Sequence, residues 1–87
     1  MNVEIRKSFE KDTEKLPAST KILLEKLIQN IIASKKLSEL SSCKKLTGFK
    51  IAYRLRFGNY RIGFFYENET VELVRVLNRK DIYKYFP

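Results

Sequence analysis

The sequence predicts an α+β fold in the order β-α-α-β-β-β, closed by a short C-terminal α segment. A helical pair packs on one face of a mainly antiparallel sheet. Three observations predict it: apolar residues recur at helical spacing between Thr20 and Lys35, they alternate with polar ones from Lys44 onward, and Gly58-Asn59 stands between two alternating runs. With 87 residues the chain can bury one core and not two, so residues 1–87 read as a single domain. Any binding site must then lie on the sheet face or its rim.

The elements follow in order. Val3 and Ile5 alternate with Glu4 and Arg6, which predicts an opening strand over residues 2–7, after which Ser8 can cap a charged helix over residues 9–16. Pro17 ends that helix because it lacks an N–H and disfavours helix at Leu16, and Pro17 or Ser19 opens the next. Ile22, Leu23, Leu27, Ile28, Ile31 and Ile32 recur at spacings of four and five with Leu24 at their margin, an amphipathic helix from about Thr20 to Lys35. Lys35 and Lys36 suit its negative end, and Leu37–Ser42 reads as a connecting turn or half-helix. In the strand Lys50–Phe57, Ile51, Tyr53, Leu55 and Phe57 face the helices, while Ala52, Arg54 and Arg56 face away. Gly58-Asn59 turns the chain into a strand from Tyr60, and Glu67-Asn68-Glu69 reverses it again. The third strand, Val71–Leu77, is apolar on both parities, as expected of a strand covered on two sides or lying centrally; residues 78–86 close as a helical turn.

Composition excludes much chemistry. There is no His and a single Cys, Cys43, so no Ser-His-Asp or Cys-His constellation, zinc finger or intrachain disulfide is available. Cys43 reads as a small, inert side chain. No cofactor or metal site is expected. Proton donors and acceptors must be Tyr, Lys, Arg or carboxylates. The lone cysteine, together with no apolar leader and no membrane-length apolar run, points to a reducing cytoplasm.

A net charge of +8 points to a polyanion, a membrane surface or an acidic protein partner. Five of the six arginines and ten of the eleven aromatic residues lie beyond Thr47. Guanidinium forks suit phosphate and aromatic rings suit bases, so the C-terminal part reads as a nucleic-acid surface supported by the N-terminal part. The competing reading is that aromatics are good strand formers with solvated arginine neighbours. The hairpin sets Arg56 near Arg61, and like charges so placed repel by roughly 0.2–1 kcal/mol when exposed. Either an anion sits between them or Glu67, Glu72 or Asp81 neutralises one.

The segments Tyr53-Arg54-Leu55-Arg56-Phe57-Gly58-Asn59-Tyr60-Arg61-Ile62 and Arg75-Val76-Leu77-Asn78-Arg79-Lys80-Asp81-Ile82-Tyr83 resemble the RelE/ParE superfamily of toxins from type II toxin–antitoxin systems. The opening strand, the charged helix ending at Leu16-Pro17 and the Lys44-Lys45-Leu46-x-Gly48 approach extend the resemblance over nearly the whole chain, and Arg79 with Tyr83 is closest to the RelE branch. The resemblance implies a RelE-like fold and a ribosome-dependent endoribonuclease that cuts mRNA in the A site, without a metal, until an acidic RelB-like antitoxin covers it. It implies Arg61, Arg79 and Tyr83 as catalytic residues, with Arg54 where RelE toxins carry a lysine. Arg56, Lys44, Lys45 and Lys80 are candidates for holding RNA phosphates. Ala52 and Asn78 depart from the pattern, Asn78 standing where many relatives carry His.

The chemistry can be argued separately. Metal-free cleavage uses the adjacent 2′-OH as nucleophile, so the site must align it, take its proton and stabilise extra charge on the phosphorane-like transition state. Arg61 and Arg79 can supply the charge. With no His, Tyr83 is the best candidate base; a free phenol ionises near pH ~10, so cationic neighbours must favour its phenolate. The general acid stays unassigned. Tyr53, Tyr60 or Phe65 can stack on a base, or the two tyrosines can belong to the core; Tyr83 can equally be an anchor for the terminus. Two other functions fit the same features: a ParE-like gyrase poison that hydrolyses nothing, and a non-catalytic RNA-binding module.

Overall fold

The computed structural model describes residues 1–87. The chain runs β1 (Asn2–Ile5), α1 (Lys7–Glu14), α2 (Ala18–Ala33), a single 3₁₀ turn at Leu37–Glu39, β2 (Cys43–Lys45), β3 (Ala52–Phe57), β4 (Tyr60–Glu67), β5 (Thr70–Asn78) and α3 (Ile82–Tyr85). The sheet order is β1-β5-β4-β3-β2, antiparallel except for the β1–β5 pair. The α+β class and the element order match expectation, with one addition. The three-residue edge strand β2 is too short to show alternation, and its pairing of Lys44 with Arg54 is a tertiary fact.

Local chemistry accounts for the turns. Gly58 alone has positive φ (58°) in the β3–β4 hairpin, as a II′ turn asks of its first central residue. Asn68 and Glu69 both lie at positive φ in the β4–β5 hairpin, the I′ pattern. Between Leu73 and Arg75 the register with β4 slips, leaving Val74 without a partner. That bulge switches parity. Val71, Leu73 and Val76 enter the core beneath α1 and α2, while Val74 enters a second cluster on the other face, which is why both parities of this strand are apolar.

Several expectations are corrected. Ser8 lies inside α1 and does not cap it; its hydroxyl donates to the Val74 carbonyl at 2.6 Å. α2 packs through Leu24, Leu27, Ile28 and Ile31, which share one narrow arc at 3.6 residues per turn, while Ile22, Leu23 and Ile32 are exposed. Leu24 is thus central to the stripe. The carbonyl end of α2 is met by the α-amino group of Met1, 2.8 Å from the Ile32 carbonyl and 2.6 Å from that of Ser34, and the backbone N–H groups of Lys35 and Lys36 donate instead to the Glu39 carboxylate. Ile51 precedes β3 and joins neither core cluster.

The two faces are covered unequally. On one, Phe9, Leu16, Leu24 and Ile31 close over Leu55, Ile62, Phe64, Val71, Leu73 and Val76. On the other, only Ala52, Val74, Ile82 and Phe86 form a buried cluster. The Phe86 ring lies directly over Gly63, where a Cβ would overlap the ring carbons. Gly63 therefore lets α3 sit down on the sheet.

β1 pairs only as far as Leu73, so the outer edge of the rest of β5 needs another partner. α1 supplies it. Beyond the Ser8 bond, the buried Asp12 carboxylate accepts the Val76 N–H at 3.1 Å and takes both arms of the Arg75 guanidinium, at 2.8 Å from Nε and 3.0 Å from Nη2. Arg75 is thereby withdrawn from the arginines counted as nucleic-acid surface. Its guanidinium is held in the charged form above all by the hydrogen bond to Asp12, which outweighs the opposing effect of burial.

Two predictions follow from this architecture. Asp12→Ala strands a partly buried guanidinium and the Val76 N–H, and is expected to cost about 2–4 kcal/mol of stability, read by urea unfolding; a loss below about 0.5 kcal/mol would refute the account. Gly63→Ala is expected to displace α3 while leaving the main core folded, seen as increased amide hydrogen exchange confined to residues 80–87.

Candidate nucleic-acid interface

The face that carries α3 also carries the charge. Alternation on β3 sends Arg54 and Arg56 to it, β2 adds Lys44 opposite Arg54, and β4 adds Arg61 opposite Arg56. These four cations, with Ser42 and Tyr83, line a cavity of about 330 Å³. No carboxylate lines it. The ion pairs of the fold, Arg6–Glu72 and Arg75–Asp12, lie elsewhere, so none of Glu67, Glu72 or Asp81 neutralises the Arg56–Arg61 pair. Neutral acceptors hold Arg61 in place, its Nη1 donating to the carbonyls of Gly58 at 3.0 Å and Tyr60 at 2.8 Å. Four positive charges gathered with no protein counterion can attract and hold an anion.

Tyr83 stands at the edge of this cavity. Its neighbours in sequence do the anchoring: Ile82 and Phe86 are buried, whereas Tyr83 is 72% exposed. The Arg54 guanidinium lies over its ring at 4.4 Å from the centroid, a cation–π contact that orients the ring where it lines the cavity. One residue along, Tyr85 receives the Arg75 guanidinium at 5.5 Å. Both exposed tyrosines of α3 are thus fixed by arginines from the sheet.

The remaining candidates do not join the cavity lining. Arg79 is exposed in the turn after β5, its backbone N–H donating to the Asn59 carbonyl at 3.0 Å, which sets it beside the β3–β4 hairpin. Lys80 is exposed in the same turn, with its N–H on the Asn78 side chain. Lys45 pairs with Tyr53 and so belongs to the opposite parity from Lys44. Tyr53 stacks on Phe64 at 5.5 Å and Tyr60 packs against the main core with Phe57, so both tyrosines are structural; Phe65 meets Phe86 at 5.3 Å. Cys43 is half-buried, and burial pushes its thiol pKa up, away from the reactive thiolate.

Sequence reading missed Ser42. It holds a left-handed backbone (φ 58°) at the entry to β2 and accepts the Arg56 N–H on its carbonyl. A positive-φ serine in a Ser-rich turn leaves no mark that distinguishes it from its neighbours.

The family model for the ParE toxin of type II toxin–antitoxin systems, parDE, matches residues 3–83. The chain belongs to the RelE/ParE toxin family. Within it, this toxin is 39% identical to Toxin RelE3 of Methanocaldococcus jannaschii, over the full length of both chains. It superposes on the RelB–RelE antitoxin–toxin complex from Methanococcus jannaschii with a TM-score of 0.82 and 36% identity, covering 97% of this chain and 99% of that one. The isolated Escherichia coli RelE toxin shares the fold, at a TM-score of 0.66 and 18% identity over 95% of this chain and 90% of that one. No helix of the toxin is long and apolar enough to cross a membrane.

The Arg56–Arg61 juxtaposition predicts a conflict between stability and binding. Arg56→Gln removes one charge of a repelling cross-strand pair and is expected to raise stability by about 0.2–1 kcal/mol at low salt. The gain should fade as salt screens the pair, and a destabilised variant would mean that Arg56 has a partner inside the fold.

Proposed function

We propose that this toxin is a ribosome-dependent endoribonuclease that cuts mRNA in the A site, acting in the cytoplasm and silenced by an acidic RelB-like antitoxin. One observation carries the reading: Lys44, Arg54, Arg56 and Arg61, without counterions, converge with the exposed phenol of Tyr83 on one cavity. The chemistry assigned to it is in-line attack by the 2′-OH on the adjacent phosphate. Tyr83, in its phenolate form, takes the hydroxyl proton, the P–O5′ bond breaks as the O2′–P bond forms, and water protonates the departing 5′-oxygen, so that the products are a 2′,3′-cyclic phosphate and a 5′-OH end. Arg61 and its neighbours stabilise the charge that accumulates on the phosphoryl oxygens, where preorganised donors are most effective. Arg54 both contributes charge and orients Tyr83. Arg79, outside the cavity lining, is assigned to the strand as it leaves beside the hairpin, and Lys45 and Lys80 to ribosomal RNA phosphates.

An acidic antitoxin segment laid over the four cations would abolish substrate binding by charge complementarity, and a structure of the complex should show the cavity covered. The family model's ParE description favours one other reading, inhibition of DNA gyrase; against it stand the RelE relatives at 36–39% identity.

Tyr83→Phe keeps the ring, and with it the Arg54 contact, and removes only the hydroxyl. It is expected to slow single-turnover cleavage of a translated message by roughly 10²-fold or more, with an unchanged unfolding midpoint. Arg61→Ala is expected to abolish cleavage in a folded protein. Primer extension on messages from induced cells, beside a supercoiling assay, reads the outcome: ribosome-dependent cuts support the proposal, while gyrase inhibition without cuts, or full activity of either variant, overturns it.

A further inference from the structure

The cationic cavity has a neighbour of mixed lining. Leu46, Thr47, Phe49, Ile82 and Phe86 line a second cavity of about 470 Å³ that shares Arg54 and Tyr83 with the first. Two side chains therefore form the partition between a place for a phosphate and a place that offers both apolar side chains and polar groups. That is the division a nucleotide presents, with its base one sugar away from its phosphate. We infer that this second cavity is a nucleobase subsite and that Phe49 is its stacking residue, an assignment resting on the RNA-cleavage reading above.

Of the three aromatic side chains that line the two cavities, Phe49, Tyr83 and Phe86, only Phe49 is both exposed and without an aromatic or cation–π partner. Tyr53, Phe64, Tyr60 and Phe57 pack in the main core, Phe65 pairs with Phe86, and Arg54 covers one face of the Tyr83 ring. Phe49 has no aromatic partner, and 49% of it is exposed although it belongs to the most strongly apolar residue class. A turn fixes its place. The Phe49 N–H donates to the Leu46 carbonyl at 3.3 Å, Gly48 between them has a φ of 87°, and the Leu46 N–H donates to the Ala52 carbonyl at 2.9 Å. Gly48 supplies the positive φ that such a reversal needs. The turn thus holds an apolar ring at the solvent rim of the sheet, beside the phosphate cavity, and the Thr47 hydroxyl adds a polar group able to meet a base edge.

The test uses the full-length toxin and a 2′-O-methyl oligoribonucleotide carrying one 2-aminopurine, which has no free 2′-OH and cannot be cut. Stacking quenches 2-aminopurine fluorescence. The wild-type chain is expected to bind and quench; Phe49→Ala is expected to bind about 5- to 150-fold more weakly and to lose the quench at saturation. Phe49→Tyr should restore both. Arg61→Ala should weaken binding yet keep the quench at saturation, because it acts on the phosphate alone. A wild-type chain that does not bind or does not quench, or Phe49→Ala with wild-type affinity and quench, overturns the subsite. Failure of the cleavage reading looks different: the probe binds and is quenched through Phe49, while translated messages stay intact.

Discussion

The Asp12 carboxylate is the constraint on which the rest of the molecule depends. It does three things at once: it accepts the Val76 N–H on the unpaired edge of β5, neutralises Arg75, and sets the angle at which α1 lies along the sheet. A charge so buried is tolerable only when it is paired and hydrogen-bonded, and here two guanidinium bonds and one backbone bond do both. Arg75, held from below, presents its guanidinium to Tyr85. The ion pair beneath the sheet's edge therefore reaches the C-terminal helix and, through it, Tyr83. Four residues of α-helix have no stability of their own. What holds α3 is Ile82 and Phe86 in the small second cluster, the bare backbone at Gly63, and this relay from Asp12.

The site shows the opposite electrostatics. Around Asp12 every charge is matched; around Arg54, Arg56 and Arg61 none is. Both arrangements come from the same strand geometry. Alternation must send one parity of β3 and β4 to the helix-covered face, and whatever stands on the other parity is delivered together onto the second face. A hairpin with a two-residue turn then brings Arg56 and Arg61 side by side. Stability alone would select an acidic partner at one of these positions. The cost of leaving the cations unmatched is modest at an exposed rim, of order 1 kcal/mol or less per pair, well below what a bound phosphate returns through charge-assisted hydrogen bonds.

Much of this was legible in the sequence, and the reason is periodicity. Strand alternation placed Arg54 and Arg56 on the face away from the helices, and the Gly58-Asn59 turn put Arg61 beside them; both are local rules acting over a few residues. The errors lie where long-range partners decide. Arg75 looks in sequence like any other strand arginine, and only the packing of α1 across 63 positions of chain shows that it belongs to Asp12. The bulge at Val74 could not be read from composition, although apolar residues on both parities were its trace. Leu24 was set at the margin of α2 because six other apolar residues made a broad stripe; the sheet contacts the narrow arc through Leu24 and Ile31 and leaves Ile22 and Leu23 in solvent. β2, Ser42 and the turn that carries Phe49 were invisible for one reason: each is a short stretch whose conformation is imposed by its neighbour across the sheet.

This division explains why the two halves of the candidate site differ in how firmly they are held. The cations sit on β2, β3 and β4, in the body of the sheet, with backbone ladders on both sides for β3 and β4. The phenol sits on a short helix attached through two buried side chains and two arginine contacts. A segment attached by so few contacts opens at a free energy well below that of global unfolding. Charge recognition and proton transfer are therefore assigned to parts of the molecule with different local stabilities. Under the proposed mechanism, anything that loosens α3 without disturbing the sheet, such as a side chain at Gly63, would leave a protein that keeps the cationic cavity and loses the placement of Tyr83. On that proposal binding and cleavage are separable, because the sheet would supply one and the terminus the other.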